Sequence, residues 1–304
     1  MSIDNKTINS FIFSQFGQLP SAVEQVEMGV MTFKYKVKVE GQDYMLRIYP
    51  PANTTNVSLE FKIMQQLFFR GCKVPEPVGY NNETSTACLI YKYIPGLALS
   101  QLPNAISDET AGIIAAQIVD NIIALSKEPI GGFGFLLSSE KPFKDWQSFL
   151  QDAISRGEQH LASIKEIDQT TITTLLNFAK EQLQQIHIKQ PSLVWNDFSK
   201  DNIIIHNNTL AGFVDFEGCV AGDPVMALGY LFAIEADSAF LKTVMAQYKK
   251  HFTFTYQTVL FYAMVRLFRL SKHINNAFPT GIKRDPLMVY FKGLQVAIEQ
   301  IKLL

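Results

Sequence analysis

The chain has 304 residues, 47% hydrophobic and 18% charged, enough to bury a core without disulfide or metal staples. A formal net charge of −1 leaves no basic excess for a nucleic-acid-binding domain. Met1-Ser-Ile-Asp-Asn-Lys6 carries no apolar signal core, and no run approaches the ~18 to 20 uninterrupted apolar residues of a membrane span, so a cytoplasmic protein without a membrane or nucleic-acid partner is expected.

Residues 5–17 have the pattern of a short amphipathic helix ending before Pro20. Residues 22–49 read as three strands. Phe33, Tyr35, Val37 and Val39 alternate with Lys34, Lys36, Lys38 and Glu40, so the three lysines are expected on a solvated face with no functional role. Glu40-Gly41-Gln42 turns the chain, and Tyr44-Met-Leu-Arg-Ile-Tyr49 runs back to Pro50-Pro51. Leu59, Ile63, Met64 and Leu67 mark a helix over 56–69, and Cys88-Leu-Ile-Tyr91 another strand. Beyond Pro95-Gly96 the period becomes helical: 107–127, 143–164 and 168–188, then 224–236, 238–250, 255–276 and 285–303. A strand-rich segment, 193–217, interrupts the helices, with Asn207-Asn208 as its turn. The pattern is an α+β chain, with a small β-rich lobe over 1–95 and a larger helical one over 96–304. Cys72, Cys88 and Cys219 are isolated and odd in number, which points to buried thiols rather than bridges or a zinc site.

The segment 193–217 carries the chemistry. Asp197 and Asn202 have the spacing D-x-x-x-x-N, and Asp215 closes a second apolar run in Phe213-Val-Asp-Phe-Glu217. That spacing matches a kinase catalytic loop followed by its metal-binding aspartate. Phosphoryl transfer needs an acceptor oxygen held in line with the γ-phosphate and cations that neutralise the phosphates. Asp197 is the candidate to orient the acceptor hydroxyl. Asn202 and Asp215 are the candidate Mg²⁺ ligands, oxygen donors of the kind a hard cation prefers. Glu217, two residues on, would share a strand face with Asp215 and serve a second metal or bind its water. The bland alternative is an ordinary polar hairpin.

Here the chain resembles the aminoglycoside phosphotransferase and choline kinase superfamily, protein-kinase-like in fold and acting on small molecules. The family pattern H-[GN]-D-x-x-x-x-N, [IV]-D-[FW]-[EG] and G-D-P appears as Trp195-Asn196-Asp197…Asn202, Val214-Asp215-Phe216-Glu217 and Gly222-Asp223-Pro224. The resemblance places Arg47 where a strand lysine holds the phosphates, and Glu60 as the glutamate that pairs with it. It makes Lys73-Val-Pro-Glu-Pro-Val78 the P-x-P segment and Tyr91, Lys92 and Tyr93 the hinge whose backbone meets the base. Gly29, in Glu27-Met-Gly-Val-Met-Thr32, falls in the phosphate-covering loop. The cofactors implied are ATP or GTP with Mg²⁺, and the partner is a small molecule offering a hydroxyl.

The departures are informative. The phosphate loop holds one glycine instead of several. Trp195 replaces the catalytic-loop histidine, and Ala227 stands where a second aspartate would follow G-D-P; packing of the two could replace a polar pair. These motivate an alternative, a kinase-like nucleotide- or ligand-binding module without turnover. A protein kinase is disfavoured, because Gly222 follows Asp215 after only six intervening residues, which leave no long activation loop. Residues 141–304 hold 15 Asp and Glu against 17 Lys and Arg, which weighs against a polycationic antibiotic as acceptor. Arg266, Arg269 and His273 would share a helix face, either binding an anionic acceptor group or pairing internally. Phe143, Trp146, Tyr230 and Phe232 either line an acceptor pocket or, as expected of most of them, pack in the core.

Overall fold

The computed structural model describes residues 3–26, 31–51, 53, 55–83, 87–102, 107–138, 141–163, 167–236, 238–271 and 286–303. Gly29 with most of the phosphate-covering loop, and His273, lie outside the described residues.

The N-terminal part is an antiparallel sheet of β1 (Ala22–Val26), β2 (Phe33–Val39), β3 (Gln42–Ile48), β4 (Pro77–Asn81) and β5 (Cys88–Lys92), in the order β1-β2-β3-β5-β4. The alternation read from the sequence decides its faces. Phe33, Tyr35, Val37 and Val39 are buried with Leu46, Ile48 and Ile90 against Ile8, Phe11 and Ile12 of α1 (Asn5–Phe16). The opposite face holds Lys34 directly across from Arg47. Helix α2 (Val57–Phe69) starts at an Asn56 cap, whose side chain accepts from the Leu59 N–H, and buries Val57, Glu60, Ile63, Met64 and Leu67. Glu60 therefore sits on the apolar stripe of its helix, a placement that burial forbids to a charge without partners.

The C-terminal part is mostly helical: α3 (Asp108–Ser126), α4 (Trp146–Leu161), α5 (Gln169–Leu183), α6 (Met226–Glu235), α7 (Ala239–Tyr248), α8 (Tyr256–Leu270) and α9 (Pro286–Lys302). Asp145 and Asp168 cap α4 and α5 and set their starts. Helix α3 is long and apolar enough to cross a membrane by length and composition. It nevertheless carries Asp120, and its buried Asn121 exchanges hydrogen bonds with the backbone of Lys73.

Short strands thread this helical part. β8 (Ser192–Val194), β7 (Gly134–Phe135) and β11 (Val220–Gly222) form one sheet, while β9 (Ile203–His206), β10 (Thr209–Phe213) and β6 (Leu97–Ala98) form another. Asn207 and Asn208 turn β9 into β10 with φ of 49° and 58°, the paired positive values of a tight hairpin.

The Gly222-Asp223-Pro224 run has a packing explanation. A Cβ on Gly222 would lie 2.3 Å from the Trp146 ring, so only glycine lets α4 approach β11. Trp146 Nε1 donates to the Tyr262 hydroxyl at 3.1 Å, and that hydroxyl donates to Asp223 Oδ2 at 2.7 Å. Asp223 Oδ1 accepts from the Val225 N–H at 2.9 Å, which fixes the entry to α6. Cys72, Cys88 and Cys219 are buried free thiols.

Candidate active site

The loop between β8 and β9 winds tightly around Asp197. Its carbonyl accepts from the Ser199 N–H at 2.8 Å, and Asn202 Nδ2 donates both to that carbonyl at 3.1 Å and to Asp197 Oδ2 at 2.8 Å. The D-x-x-x-x-N spacing is thus a closed ring of hydrogen bonds, formed by one short 3₁₀ turn over 200–202. The second carboxylate oxygen, Oδ1, faces Arg266 of α8, whose Nη2 lies 3.3 Å away. Burial lifts the Asp197 pKa above the usual carboxylate range, against the opposing pull of Arg266, Tyr230 and Asn202.

Asp215 lies just past β10 and takes a left-handed φ of 67°, a conformation Asp tolerates better than most residues. Its carboxylate receives Lys34 Nζ on Oδ2 at 3.0 Å and Arg47 Nη2 on Oδ1 at 3.0 Å. Trp195 steadies it from behind: Nε1 donates to the Asp215 carbonyl at 3.1 Å, while the indole stacks on Phe213 with centroids 4.1 Å apart. Trp195 and Ala227 are both buried in the main core.

Arg47 is the hub. Nη1 pairs with Glu60 Oε1 at 2.8 Å, and Nη2 lies 3.0 Å from both Asp215 and Glu217. Tyr49 donates to the other Glu60 oxygen at 2.7 Å. Arg47 and Glu60 are almost fully inaccessible, at 1% and 0%, so the pair is far from a surface ion pair. Two carboxylates competing for one guanidinium nitrogen separate in charge. Burial resists the charge of Asp215, but Arg47 and Lys34 prevail and its pKa falls to about 2. Burial and the neighbouring Asp215 charge push Glu217 up to about 8.

Two readings of the sequence change here. Lys34 is not on a solvated face: like-charged Lys34 and Arg47 stand opposite each other across β2 and β3, and Asp215 answers both. The cross-strand register is the signal that could have revealed this, since like charges directly opposite destabilise a strand pair and an anion between them relieves the repulsion. Asp215 and Glu217 meet through a turn rather than along a strand face, because β10 stops at Phe213. In the hinge, the N–H groups of Lys92 and Tyr93 donate to the Glu76 and Asp43 carbonyls at 2.9 and 3.1 Å, and Tyr91 pairs within the sheet. Those two donors are therefore spent inside the sheet.

The donor set suits a hard cation. Asp215 and the amide oxygen of Asn202 are oxygen donors, and phosphate oxygens and water would complete an Mg²⁺ shell. No cluster of three or more His, Cys, Asp or Glu fit to hold a metal occurs among the described residues.

With this geometry in place, the comparisons decide the family. The model for the APH phosphotransferase enzyme family matches residues 23–262. The chain belongs to that family. The fold is that of aminoglycoside phosphotransferase APH(4)-Ia, seen in a ternary complex with AMP-PNP and hygromycin B: the TM-score is 0.74 at 15% identity, over 97% of this chain and 98% of that one. ADP-bound aminoglycoside phosphotransferase APH(2'')-Ib has the same fold, with a TM-score of 0.63 at 17% identity over 98% and 99%. Among curated proteins, human acyl-CoA dehydrogenase family member 11 is 23% identical over 252 residues, 75% of this chain. The chain spans about 30% of that relative's length.

Proposed function

We propose that this family member transfers the γ-phosphate of ATP or GTP, bound with Mg²⁺, to a hydroxyl of a small molecule, an antibiotic or a metabolite, in the cytoplasm. The observation that carries the reading is the convergence of Asp197 and Asn202, in one ring of hydrogen bonds, with Asp215 held by the buried Arg47–Glu60 pair. Asp197 orients the acceptor hydroxyl and takes up its proton, help worth roughly 10²- to 10⁴-fold. Asn202 and Asp215 would hold Mg²⁺, which supplies charge neutralisation on the phosphates; Glu217 assists by sharing Arg47 with Asp215. Arg47, fixed by Glu60, turns its guanidinium to the phosphates. The nucleotide lies between a lobe of residues 1–95 and one of residues 96–304, with Gly29 in the loop that covers it and the carbonyl side of Tyr91, Lys92 and Tyr93 towards the base.

The test is thermal stability during titration with Mg²⁺–ATP and Mg²⁺–GTP, beside Asp215→Ala. A ligand that binds only the folded state adds about 2.7 kcal/mol at one hundred times its dissociation constant. A shift that needs Mg²⁺ and disappears in Asp215→Ala supports the reading; no shift with either nucleotide overturns it.

A second reading, a binding module without turnover, is favoured by one observation: protein cations occupy both proposed functional aspartates, Lys34 and Arg47 on Asp215 and Arg266 on Asp197. Asp197→Asn discriminates. In an enzyme it abolishes acceptor-dependent turnover and leaves nucleotide affinity nearly intact; in a module it changes neither.

A further inference from the structure

We propose that Arg266 is the specificity-determining residue of the acceptor site, and that the acceptor is a hydroxy compound bearing an anionic group, a carboxylate or a phosphate, close to the hydroxyl to be phosphorylated. The inference rests on the phosphotransferase reading above. It starts from the two oxygens of Asp197. Asn202 holds Oδ2 at 2.8 Å, so an acceptor hydroxyl has Oδ1 to approach, and Arg266 Nη2 already lies 3.3 Å from that atom. Any hydroxyl that reaches Asp197 therefore brings its neighbouring atoms to the edge of a guanidinium.

Arg266 is built to meet them. Its guanidinium carbon lies 4.3 Å from the centroid of the Tyr230 ring, which supports the planar face of the group and fixes the direction of its edge. Five N–H donors in a fixed fork let one guanidinium serve Asp197, Tyr230 and an incoming carboxylate or phosphate together. The side chain is 17% exposed, so its edge is reachable from solvent. Its placement is set by backbone packing: a Cβ on Gly229 would lie 2.5 Å from the Tyr262 backbone, so α6 and α8 cross in close contact there, and Tyr230 meets Arg266 one turn further along α8.

The surrounding charges point the same way. Asp152 of α4 is engaged by Arg156 at 2.9 Å and Arg269 at 3.7 Å. Glu235 of α6 is engaged by Lys200 at 2.7 Å. A polycationic acceptor that reached Asp197 would have to lie against Arg266. An anionic acceptor instead draws the guanidinium towards itself and frees Asp197 Oδ1 for the hydroxyl. Arg266 thereby masks Asp197 until the correct acceptor arrives.

The experiment measures acceptor-dependent ADP release from Mg²⁺–ATP by the full chain. The acceptors are glycerate and 3-hydroxybutyrate, glycerol 3-phosphate, the neutral glycerol and methyl 3-hydroxybutyrate, and a cationic set of amino alcohols and hygromycin B. At least one anionic alcohol is expected to be turned over with a KM about 10- to 100-fold below that of its neutral counterpart, the contrast between the carboxylate and phosphate arms naming the anion. Arg266→Gln is expected to erase that difference by raising the KM for anionic acceptors more than for neutral ones, and Arg266→Lys to restore part of it. An equal fall in kcat for every acceptor in Arg266→Gln would mark a purely structural residue and overturn the proposal. So would a preference for the cationic or neutral set, or absence of turnover with every anionic alcohol while Mg²⁺–ATP still stabilises the fold. Failure of the underlying reading looks different: no nucleotide-dependent stabilisation, and no ADP release with any acceptor.

Discussion

Lys34 reaches Asp215 across 181 residues of chain, its ammonium 3.0 Å from the carboxylate oxygen that Arg47 does not hold. The contact ties the N-terminal sheet to the turn after β10. It also puts a protein cation where the proposed site would take a metal. Lys34→Met is expected to cost the ligand-free protein about 1–3 kcal/mol, because Asp215 loses one of its two cations while remaining mostly buried. Mg²⁺–nucleotide should then stabilise the variant more than the wild type, the metal taking over the lost charge. Thermal melts with and without Mg²⁺–ATP measure this. Equal shifts in both proteins would mean that Lys34 keeps its hold on Asp215 in the complex.

Arg47 and Glu60 make the opposite case, a pair removed from solvent altogether. Arg47→Met strands Glu60 in an apolar setting and should cost about 3–5 kcal/mol in denaturant titration. The double variant Arg47→Met/Glu60→Gln should recover a large part of that loss, since the uncompensated charge goes with the partner. A double variant no better than the single one would show that the arginine contributes mainly through Asp215 and Glu217.

Trp195 offers a test of the backbone at Asp215. Trp195→Phe keeps an aromatic on Phe213 but removes the donor to the Asp215 carbonyl, an expected loss of about 1–3 kcal/mol. Because the same carbonyl belongs to a residue at φ 67°, the variant should also weaken Mg²⁺–nucleotide stabilisation. Trp195→His, which retains a ring N–H, should lose less of it. Nucleotide titrations of the two variants give the comparison.

The Trp146–Tyr262–Asp223 chain yields a pH dependence. Burial raises the Asp223 pKa above the usual carboxylate range, while the Tyr262 hydroxyl pulls it back. A group whose folded pKa exceeds its unfolded value contributes stability that is fully present below the unfolded pKa. That contribution is lost as pH rises through the folded one. Tyr262→Phe removes the hydrogen bond that favours the charged form, so the folded pKa rises further and the loss deepens. The variant should be destabilised by about 2–4 kcal/mol at pH 8 and by less at pH 4, read from urea midpoints at both. A pH-independent loss would assign the effect to packing alone.

Much of the architecture was legible because its signals are local. The alternation at 33–39, the helical period of 56–69 and the Asn207-Asn208 turn each depend on neighbours a few residues away. The strands β4, β6, β7 and β11 were not legible, since they are two to five residues long and exist only through distant partners. Pro77 and Gly79 inside β4 even argue against a strand. At the candidate site the acidic and amide groups announced themselves by spacing. Lys34 did not, because a lysine alternating with apolar residues looks solvated until the opposite strand and Asp215 are placed beside it. Arg266 lay on a recognisable helix face, but its partner sits 69 residues away and no spacing rule reaches that far.

The crossing of α6 and α8 at Gly229 has a consequence for how such a site can diversify. With no side chain at position 229 between the two backbones, the frame beneath Tyr230 and Arg266 is closely packed. Tyr230 and Arg266 are mounted on that frame like tools on a fixed bench. Under the proposal for Arg266, exchange of the residue at position 266 would change which molecules the site welcomes while the α6–α8 crossing at Gly229 stays in place. A fold shared at 15% identity leaves room for such change, one side chain at a time.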